Sequence, residues 1–315
     1  MTKYRTRLPQ LDGGLFLTDG GIETTLIFHE GLDLPHFAAF DLLREQSGKD
    51  TLRDYFVRHA SIATSDGVGF ILESPTWRAS ADWGDKLGYS EEALAVANRE
   101  SIELMTDVRD ALASEATPIV ISGCVGPRGD GYGPADLMTP EQAEAYHAKQ
   151  IRTFSETDAD MVTAITMTNV DEAIGITRAA QAAGMPVAIS FTVETDGRLP
   201  TGQLLKEAIE AVDRATDSGP AYYMINCAHP THFETTLAAG EPWTKRLRGI
   251  RANASVCSHA ELDEAPDLDD GDPVELGSQY RDLRTRHRQI NVVGGCCGTD
   301  HRHIEQISIA CRAVA

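Results

Sequence analysis

Two adjacent cysteines, Cys296 and Cys297, follow a short apolar run near the end of the sequence. A third cysteine, Cys227, stands in a similar context directly after the apolar run that ends in Asn226. Neighbouring cysteines do not easily reach the dihedral angle of a disulfide, but they can share a soft metal ion. Zinc takes thiolates in tetrahedral geometry, and three protein ligands leave a fourth position open for water or substrate. The three thiols therefore predict a catalytic Zn2+ site built on two strand ends.

The other cysteines, Cys124, Cys257 and Cys311, are interpreted as packing residues, because a free cysteine usually behaves as a small buried apolar side chain. Six cysteines in 315 residues do not indicate a disulfide scaffold, which is typical of much shorter secreted chains. The spacing also differs from that of a zinc ribbon or finger. A zinc site in this chain would be assembled from distant segments by the fold.

Composition limits the class of partner. The chain has 28 Lys and Arg against 48 Asp and Glu, a formal net charge of -20 at pH 7. This charge disfavours nucleic acid or an anionic membrane surface and favours small molecules as ligands. No stretch approaches the roughly 20 apolar residues of a spanning helix, and the first 14 residues lack an apolar leader. We therefore expect a soluble, cytoplasmic protein with reduced thiols.

Short β-type runs alternate with helical segments along the chain, which predicts parallel βα units. Eight such runs are predicted as strands: Gly14–Asp19, Val68–Glu73, Pro118–Gly123, Asp160–Met167, Pro186–Val193, Ala221–Cys227, Leu247–Ala254 and Ile290–Gly295. This count predicts one α/β domain over residues 1–315, a (β/α)8 TIM-type barrel with its site at the C-terminal strand ends. The three thiols would then share one face. A doubly wound sheet is the alternative, but no Gly-x-Gly-x-x-Gly turn follows the first strand.

The sequence signals for helices fit the same alternation of strands and helices. Thr139 and Gln142 form a capping box with Pro140 at the first helical position, and Asn169 with Glu172 repeats the capping pattern. Apolar stripes at helical spacing follow Leu52, Ala173 and Ile304. The acidic segment 258–277 between the last two strands is interpreted as a solvated loop. A lid over the site and a contact in a homo-oligomer are its alternatives.

With these residues in place, the chain resembles the homocysteine S-methyltransferase family, which includes betaine-dependent and S-methylmethionine-dependent enzymes. The resemblance rests on the segments 18–21, 126–127, 146–150, 190–193, 197–199, 226–227 and 294–299. The last two are the most specific, reading Asn-Cys and Gly-Gly-Cys-Cys-Gly-Thr. The resemblance implies a (β/α)8 barrel, with Cys227, Cys296 and Cys297 as zinc ligands. It also implies methyl transfer to a thiol, most often homocysteine, in methionine biosynthesis.

The resemblance also implies contacts for the amino acid end of the acceptor. Asp19 would accept from the ammonium group, and the amides near Gly20 and Gly21 would meet the carboxylate. The same segment can be read structurally, as a tight turn closing the first βα unit. The family usually has a second carboxylate at the end of the fourth strand, where this chain has Ile165. This departure predicts weaker recognition of an ammonium group.

A second departure is Trp77, which stands where the family usually has tyrosine. Its indole face could bind a cationic methyl donor, since cation–π contacts are strongest with tryptophan. Packing on the barrel rim with Trp83 is the alternative. His229, His259 and His301 lie near the same face, are interpreted as polar surface residues and are not assigned to the metal.

The leading hypothesis is zinc-dependent methyl transfer from a sulfonium or betaine-type donor to a thiol. We expect no room in this chain, beside the barrel, for folate-binding and cobalamin-binding domains. A free sulfonium is therefore the favoured methyl donor. A different thiol, or a selenol such as selenocysteine, is an alternative acceptor. Zinc-assisted hydrolysis is disfavoured, because three thiolates make zinc a poor Lewis acid. A non-catalytic zinc or thiol sensor on a barrel scaffold is the remaining alternative.

Overall fold

The computed structural model describes residues 2–133, 137–237 and 241–314. Eight parallel strands pair in chain order and close into a barrel. Their bounds are β1 (Phe16–Leu17), β2 (Gly69–Glu73), β3 (Ile119–Val125), β4 (Met161–Met167), β5 (Val187–Thr192), β6 (Tyr222–Asn226), β7 (Leu247–Ala252) and β8 (Val292–Gly295). Each predicted run overlaps one strand, so the predicted (β/α)8 barrel is confirmed.

Helices cover the outside of the barrel and complete the crossovers between strands. In chain order they are α1 (Ile22–Thr24), α2 (Gln46–Asp66), α3 (Ala81–Lys86), α4 (Glu91–Leu112), α5 (Pro140–Ser155), α6 (Val170–Ala182), α7 (Leu205–Thr216), α8 (Pro230–Phe233), α9 (His259–Glu264), α10 (Pro273–Arg286) and α11 (His301–Arg312). Short 3-10 and π turns lie at Pro9–Asp12, Thr25–His29, Pro35–Phe37, Ala39–Arg44 and Pro242–Arg246.

The predicted helix starts are confirmed. Thr139 accepts a hydrogen bond from the Gln142 amide, and the Gln142 side chain accepts one from the Thr139 amide, so α5 begins with a capping box. The side chain of Asn169 caps α6 by accepting from the Glu172 amide. The predicted apolar stripes of α2, α6 and α11 face the barrel and are buried. Burial of these faces fixes the helices that carry the site loops.

The barrel interior changes from apolar to polar along the strands. Alternate residues of a strand share a face, so residues two positions apart on one strand both point inward. The lower layer is apolar: Phe16, Ile71, Val120, Met161, Ala188, Tyr222, Met224 and Val292. The next inward-facing layer, two positions further toward the C-terminal ends of the strands, is polar or charged: Thr18, Glu73, Ser122, Thr163, Ser190, Asn226 and Arg251. This buried polar layer forms a floor beneath the C-terminal mouth of the barrel.

The acidic segment 258–277 differs from its prediction as a loop. Ser258 and Glu261 form a capping box that begins α9, and Asp272 caps α10. Acidic side chains suit these positions because they satisfy free amides and the positive end of the helix dipole. Across the described residues no helix is long and apolar enough to traverse a bilayer. The predicted localisation and the homo-oligomer stay predictions.

Candidate active site and metal centre

The three predicted ligand cysteines meet at the C-terminal mouth of the barrel. Cys227 directly follows β6, and Cys296 and Cys297 directly follow β8. Their sulfur atoms all lie within 4.8 Å of one another. In the part of the chain that the structure describes, no other set of three His, Cys, Asp or Glu side chains converges in this way. The fold therefore assembles one sulfur cluster from two segments that are 69 residues apart.

The cluster fits a zinc ion in donor type, because it offers three cysteine sulfurs that converge on one point. Tetrahedral zinc with bonds of about 2.3 Å places its sulfur ligands roughly 3.8 Å apart. Cys227 and Cys296 are paired as a disulfide in the structure, with their Cα atoms 5.4 Å apart, whereas the sequence predicts reduced thiols. Reduction of this pair yields the thiols that a metal would need. Cys296 and Cys297 are not bonded to each other, as expected for neighbours.

Cys227 is held in an unusual backbone conformation. Its φ is 54°, and φ of Thr166 at the end of β4 is 66°, a region that β-branched residues rarely enter. Asn226 stabilises this arrangement, because its Oδ1 accepts from the Thr166 amide at 2.9 Å and from Ser190 Oγ at 2.6 Å. Its Nδ2 donates to Thr166 Oγ1 at 2.8 Å. Asn226 thus positions the first cysteine, which gives the Asn-Cys pair a physical role.

The loop after β1 packs backbone to backbone against the loop after β8. A Cβ atom on Gly21 would lie 2.5 Å from the carbonyl oxygen of Cys296, so only glycine allows this approach. The Gly21 amide donates to the carbonyl of Thr299 at 2.9 Å. This N–H is therefore already satisfied inside the protein, although the resemblance implies that it meets a substrate carboxylate.

A cavity of about 230 Å³ opens beside the sulfur cluster. Its wall contains every residue predicted for the site: Asp19, Gly20, Gly21, Trp77, Cys227, Cys296 and Cys297. Ile165, at the position where a carboxylate was expected, lines the cavity as well. The wall also contains side chains that the sequence did not indicate: Glu23, Glu73, Arg78, Cys124, Asp130, Tyr132, Arg251 and Asp263. The fold brings the predicted residues together, and their roles toward zinc and substrate stay predictions.

Comparison with known proteins decides the family. The profile described as Homocysteine S-methyltransferase matches residues 16–311, nearly the whole chain. The chain belongs to the homocysteine S-methyltransferase family. This membership makes it a methyltransferase enzyme and supports methyl transfer to a thiol or selenol.

Individual relatives are distant. The chain is 25% identical to selenocysteine Se-methyltransferase of Brassica oleracea var. italica, over 94% of this chain and 88% of that protein. Its fold matches crystal structures of the homocysteine methyltransferase MmuM from Escherichia coli at 18% identity. The oxidised form gives a TM-score of 0.75 over 96% of this chain and 97% of MmuM, and the metallated form gives 0.73 over 98% and 99%. These structures support the barrel fold.

In this methyltransferase, Asp19 has two protein partners. Arg251 from β7 donates to Asp19 Oδ1 at 2.7 Å, and the Tyr55 hydroxyl donates to Oδ2 at 3.1 Å. Asp19 and Arg251 are both buried. Arg251 also donates to the carbonyls of Gly20 and Gly295, which joins the loops after β1 and β8. Any substrate ammonium group at Asp19 would therefore share this carboxylate with Arg251.

Trp77 lines the cavity with its indole anchored. Its Nε1 donates to the carbonyl of Ile165 at 3.2 Å, and the guanidinium of Arg78 lies 4.0 Å from the centre of its ring. The same guanidinium lies 3.7 Å from the ring centre of Trp83. Trp77 and Trp83 thus both contact one guanidinium, and binding of a cationic methyl donor by Trp77 stays a prediction. The cation in the structure is the chain's own Arg78.

Two carboxyl groups in the cavity wall, buried Glu73 and half-buried Glu23, were not predicted from the sequence. Burial raises the pKa of both Glu23 and Glu73 to about 7. Glu73 is 5% exposed, and its Oε2 has no hydrogen-bond partner among the described residues. A charged residue at the end of the apolar run of β2 was the available signal. Glu73 is therefore a candidate proton acceptor or polar contact in the cavity.

Changing Glu73 to Gln is expected to stabilise the protein more at pH 8 than at pH 5. The folded-state pKa of about 7 exceeds the ordinary 4.5, so the folded state holds a proton in this window that the unfolded state releases. Stability contributed by this carboxyl is therefore lost as pH rises through the window. We expect a pH-dependent gain of about 1 to 3 kcal/mol in the free energy of unfolding for Glu73→Gln.

Urea unfolding of wild type and variant at both pH values measures this gain. Glu92→Gln, at an exposed position on α4, is the matched control and should change stability little at either pH. An equal effect of Glu73→Gln at pH 5 and pH 8 would contradict the prediction.

Tyr132, on the loop after β3, brings a phenol to the sulfur cluster. Its hydroxyl lies 3.3 Å from Cys297 Sγ, and its ring stacks on His259 with centroids 4.2 Å apart. His259 in turn bonds the carbonyl of Cys227 through Nε2 and contacts Glu194 Oε1 through Nδ1 at 3.2 Å. The family's usual tyrosine is replaced by Trp77, and Tyr132 places a hydroxyl near the cluster from a different loop. No spacing in the sequence indicated this contact.

Several side predictions need correction. His229 and His259 are buried rather than on the surface, although neither joins the sulfur cluster. Cys311 is buried on α11, as predicted. Cys124 is buried but lines the cavity, and Cys257 is only half-buried on the loop after β7. The packing interpretation therefore holds for Cys311, is incomplete for Cys124 and is wrong for Cys257.

Proposed function

We propose that the protein is a zinc-dependent methyltransferase that uses a sulfonium or betaine-type donor and a thiol acceptor, with homocysteine as the first candidate. The observation that carries this proposal is the convergence of three cysteine sulfurs beside a cavity. Zinc bound there would keep the acceptor sulfur as a thiolate at neutral pH. Cys227, Cys296 and Cys297 would hold the ion, and the cavity would hold the two substrates.

The cavity also offers a side chain that can accept the proton of the acceptor thiol. The acceptor thiol must lose a proton before its sulfur attacks the methyl carbon. A new sulfur–carbon bond then forms while the donor's bond to that carbon breaks and leaves its electron pair on the donor. Glu73, with a pKa raised to about 7 by burial, lines the cavity and is suited to accept the released proton.

A selenol such as selenocysteine is the second candidate acceptor. The likeness to a selenocysteine Se-methyltransferase supports it, and the same sulfur cluster would serve a selenol. A sensor that only binds zinc is less consistent with a cavity of about 230 Å³ lined by polar and charged side chains.

The test is a matrix of acceptors and donors. Homocysteine, selenocysteine and simple thiols would be combined with S-methylmethionine, S-adenosylmethionine and betaine, and products would be read by mass spectrometry. Metal content would be determined on the same reduced sample. Methyl transfer that requires zinc supports the proposal. A zinc-loaded protein that transfers no methyl group in any combination would overturn it and favour the sensor.

Changing Ile165 to Glu is expected to improve the use of homocysteine. Ile165 is buried and lines the cavity where the family usually has a carboxylate. A charge-assisted hydrogen bond contributes roughly 1.5 to 3 kcal/mol, on the order of a tenfold to hundredfold change in affinity. The new carboxylate should therefore lower the KM for homocysteine relative to that for a des-amino thiol.

Competition between homocysteine and its des-amino analogue measures this shift. Ile165→Gln is the matched control, because the glutamine side chain is as long as that of glutamate but carries no charge. If wild type already strongly prefers homocysteine, another carboxylate of the cavity serves the ammonium group and the prediction fails.

A further inference from the structure

Arg78 is a buried cation in the cavity wall without an acidic partner. Arg78 is 7% exposed, and its Nη1 donates to the carbonyl of Gly129 at 3.0 Å. Among the residues that the structure describes, its Nε finds no hydrogen-bond partner. Within the described ranges, Arg78 forms no ion pair with an Asp or Glu side chain, although Glu23 and Asp130 line the same cavity.

Among the described residues, two of the other three buried arginines have an acidic partner, and the third has two main-chain acceptors. Arg109 pairs with Asp160 at 3.2 Å, Arg251 pairs with Asp19 at 2.7 Å, and Arg284 donates to two main-chain carbonyls. A buried charge is costly unless it is paired and hydrogen-bonded. Burial also lowers the pKa of Arg78 to about 10, so the guanidinium still carries its charge at neutral pH.

The guanidinium is held in a fixed orientation. Its central carbon lies 4.0 Å from the ring centre of Trp77 and 3.7 Å from that of Trp83. Contact with both indole rings limits rotation of the guanidinium, and Nη1 already donates to the carbonyl of Gly129, so the remaining N–H groups are left to donate to a ligand. Two parallel N–H groups match the two oxygens of a carboxylate. The site is therefore preorganised for a planar anion.

Among the described residues of the cavity wall, Arg251 is the only other Lys or Arg side chain. Arg251 is engaged by Asp19, and the Gly21 amide donates to Thr299. The amino acid and betaine-type substrates of the proposed reaction carry a carboxylate. We propose that Arg78 binds the carboxylate of a substrate in this cavity. The inference rests on the proposed methyl transfer for the identity of the ligand, and the carboxylate belongs to either the acceptor or the donor.

The test uses ligand pairs that differ only in the carboxylate. Homocysteine would be compared with homocysteinamide as acceptor, and S-methylmethionine with its amide as donor. Isothermal titration calorimetry on the zinc-loaded protein would measure binding, and KM and kcat would be measured where turnover occurs. Wild type should prefer the carboxylate of one pair by roughly tenfold to hundredfold. Arg78→Met should abolish that preference, and Arg78→Lys should retain part of it.

Arg128→Met is the matched control. Arg128 lies on the same barrel face, outside the cavity wall, and is half-exposed with its Nε 2.7 Å from Asp82. This variant should keep the wild-type preference. Circular dichroism and zinc content of each variant would show that the fold and metal centre are intact.

The outcomes separate the two sources of the carboxylate. If Arg78→Met loses the preference for carboxylate over amide in the acceptor pair, Arg78 binds the acceptor. If it loses this preference in the donor pair, Arg78 binds the donor. Equal binding of carboxylate and amide by wild type, or unchanged preference in folded Arg78→Met, would overturn the inference. Carboxylate-selective binding without turnover would instead count against the proposed function and leave Arg78 as an anion-binding residue.

Discussion

Replacing Cys227, Cys296 or Cys297 by Ala, one at a time, is expected to lower zinc content from about one ion per chain to near zero and to abolish methyl transfer. The three sulfurs lie within 4.8 Å of one another, and under the proposed function each would supply one of three zinc ligands. Elemental analysis of reduced, dialysed protein measures the metal, and mass spectrometry of the methylated product measures activity.

Cys311→Ser is the control for this series, because Cys311 is buried on α11 away from the cavity wall. It should keep its zinc and its activity. Cys124→Ser should also keep zinc, although Cys124 lines the cavity and its loss can change substrate binding. Full retention of zinc in all three alanine variants would show that the cluster is not the metal centre.

Replacing Arg251 by Met is expected to cost about 3 to 5 kcal/mol of folding free energy, because it leaves the buried Asp19 carboxylate without its counter-ion. The same change removes hydrogen bonds to the carbonyls of Gly20 and Gly295. The loops after β1 and β8 would lose one of the contacts that join them, so zinc affinity should fall as well. Urea unfolding with and without zinc measures both effects.

Arg178→Met is the comparison for a surface ion pair. Arg178 pairs with exposed Glu141 at 3.1 Å, and such pairs contribute about 0 to 1 kcal/mol. Asp19→Asn keeps the shape of Asp19 and removes its charge, and it is predicted to raise the acceptor KM more than it lowers zinc content. If Arg251→Met were no more destabilising than Arg178→Met, the buried pair would not hold the two loops together.

The sequence alone was sufficient for the architecture and for the sulfur cluster. Eight apolar runs and their helix caps are local signals, because each depends on residues a few positions apart. Cys227 and the Cys296-Cys297 pair each follow such a run, and parallel strands in a closed barrel place their ends on one face. Local patterns and one topological rule therefore predicted where the thiols meet.

The tertiary structure alone decided how the cavity distributes charge and which residues surround the cluster. Arg251 is 232 positions from Asp19, and Tyr132 is 165 positions from Cys297, so neither contact has a signature in local spacing. Arg78 is adjacent to Trp77 in sequence, but its lack of an acidic partner depends on where other loops end. Whether a charge is paired or buried depends on side chains that are distant in sequence. The fold determines it, because strands and loops bring those side chains together.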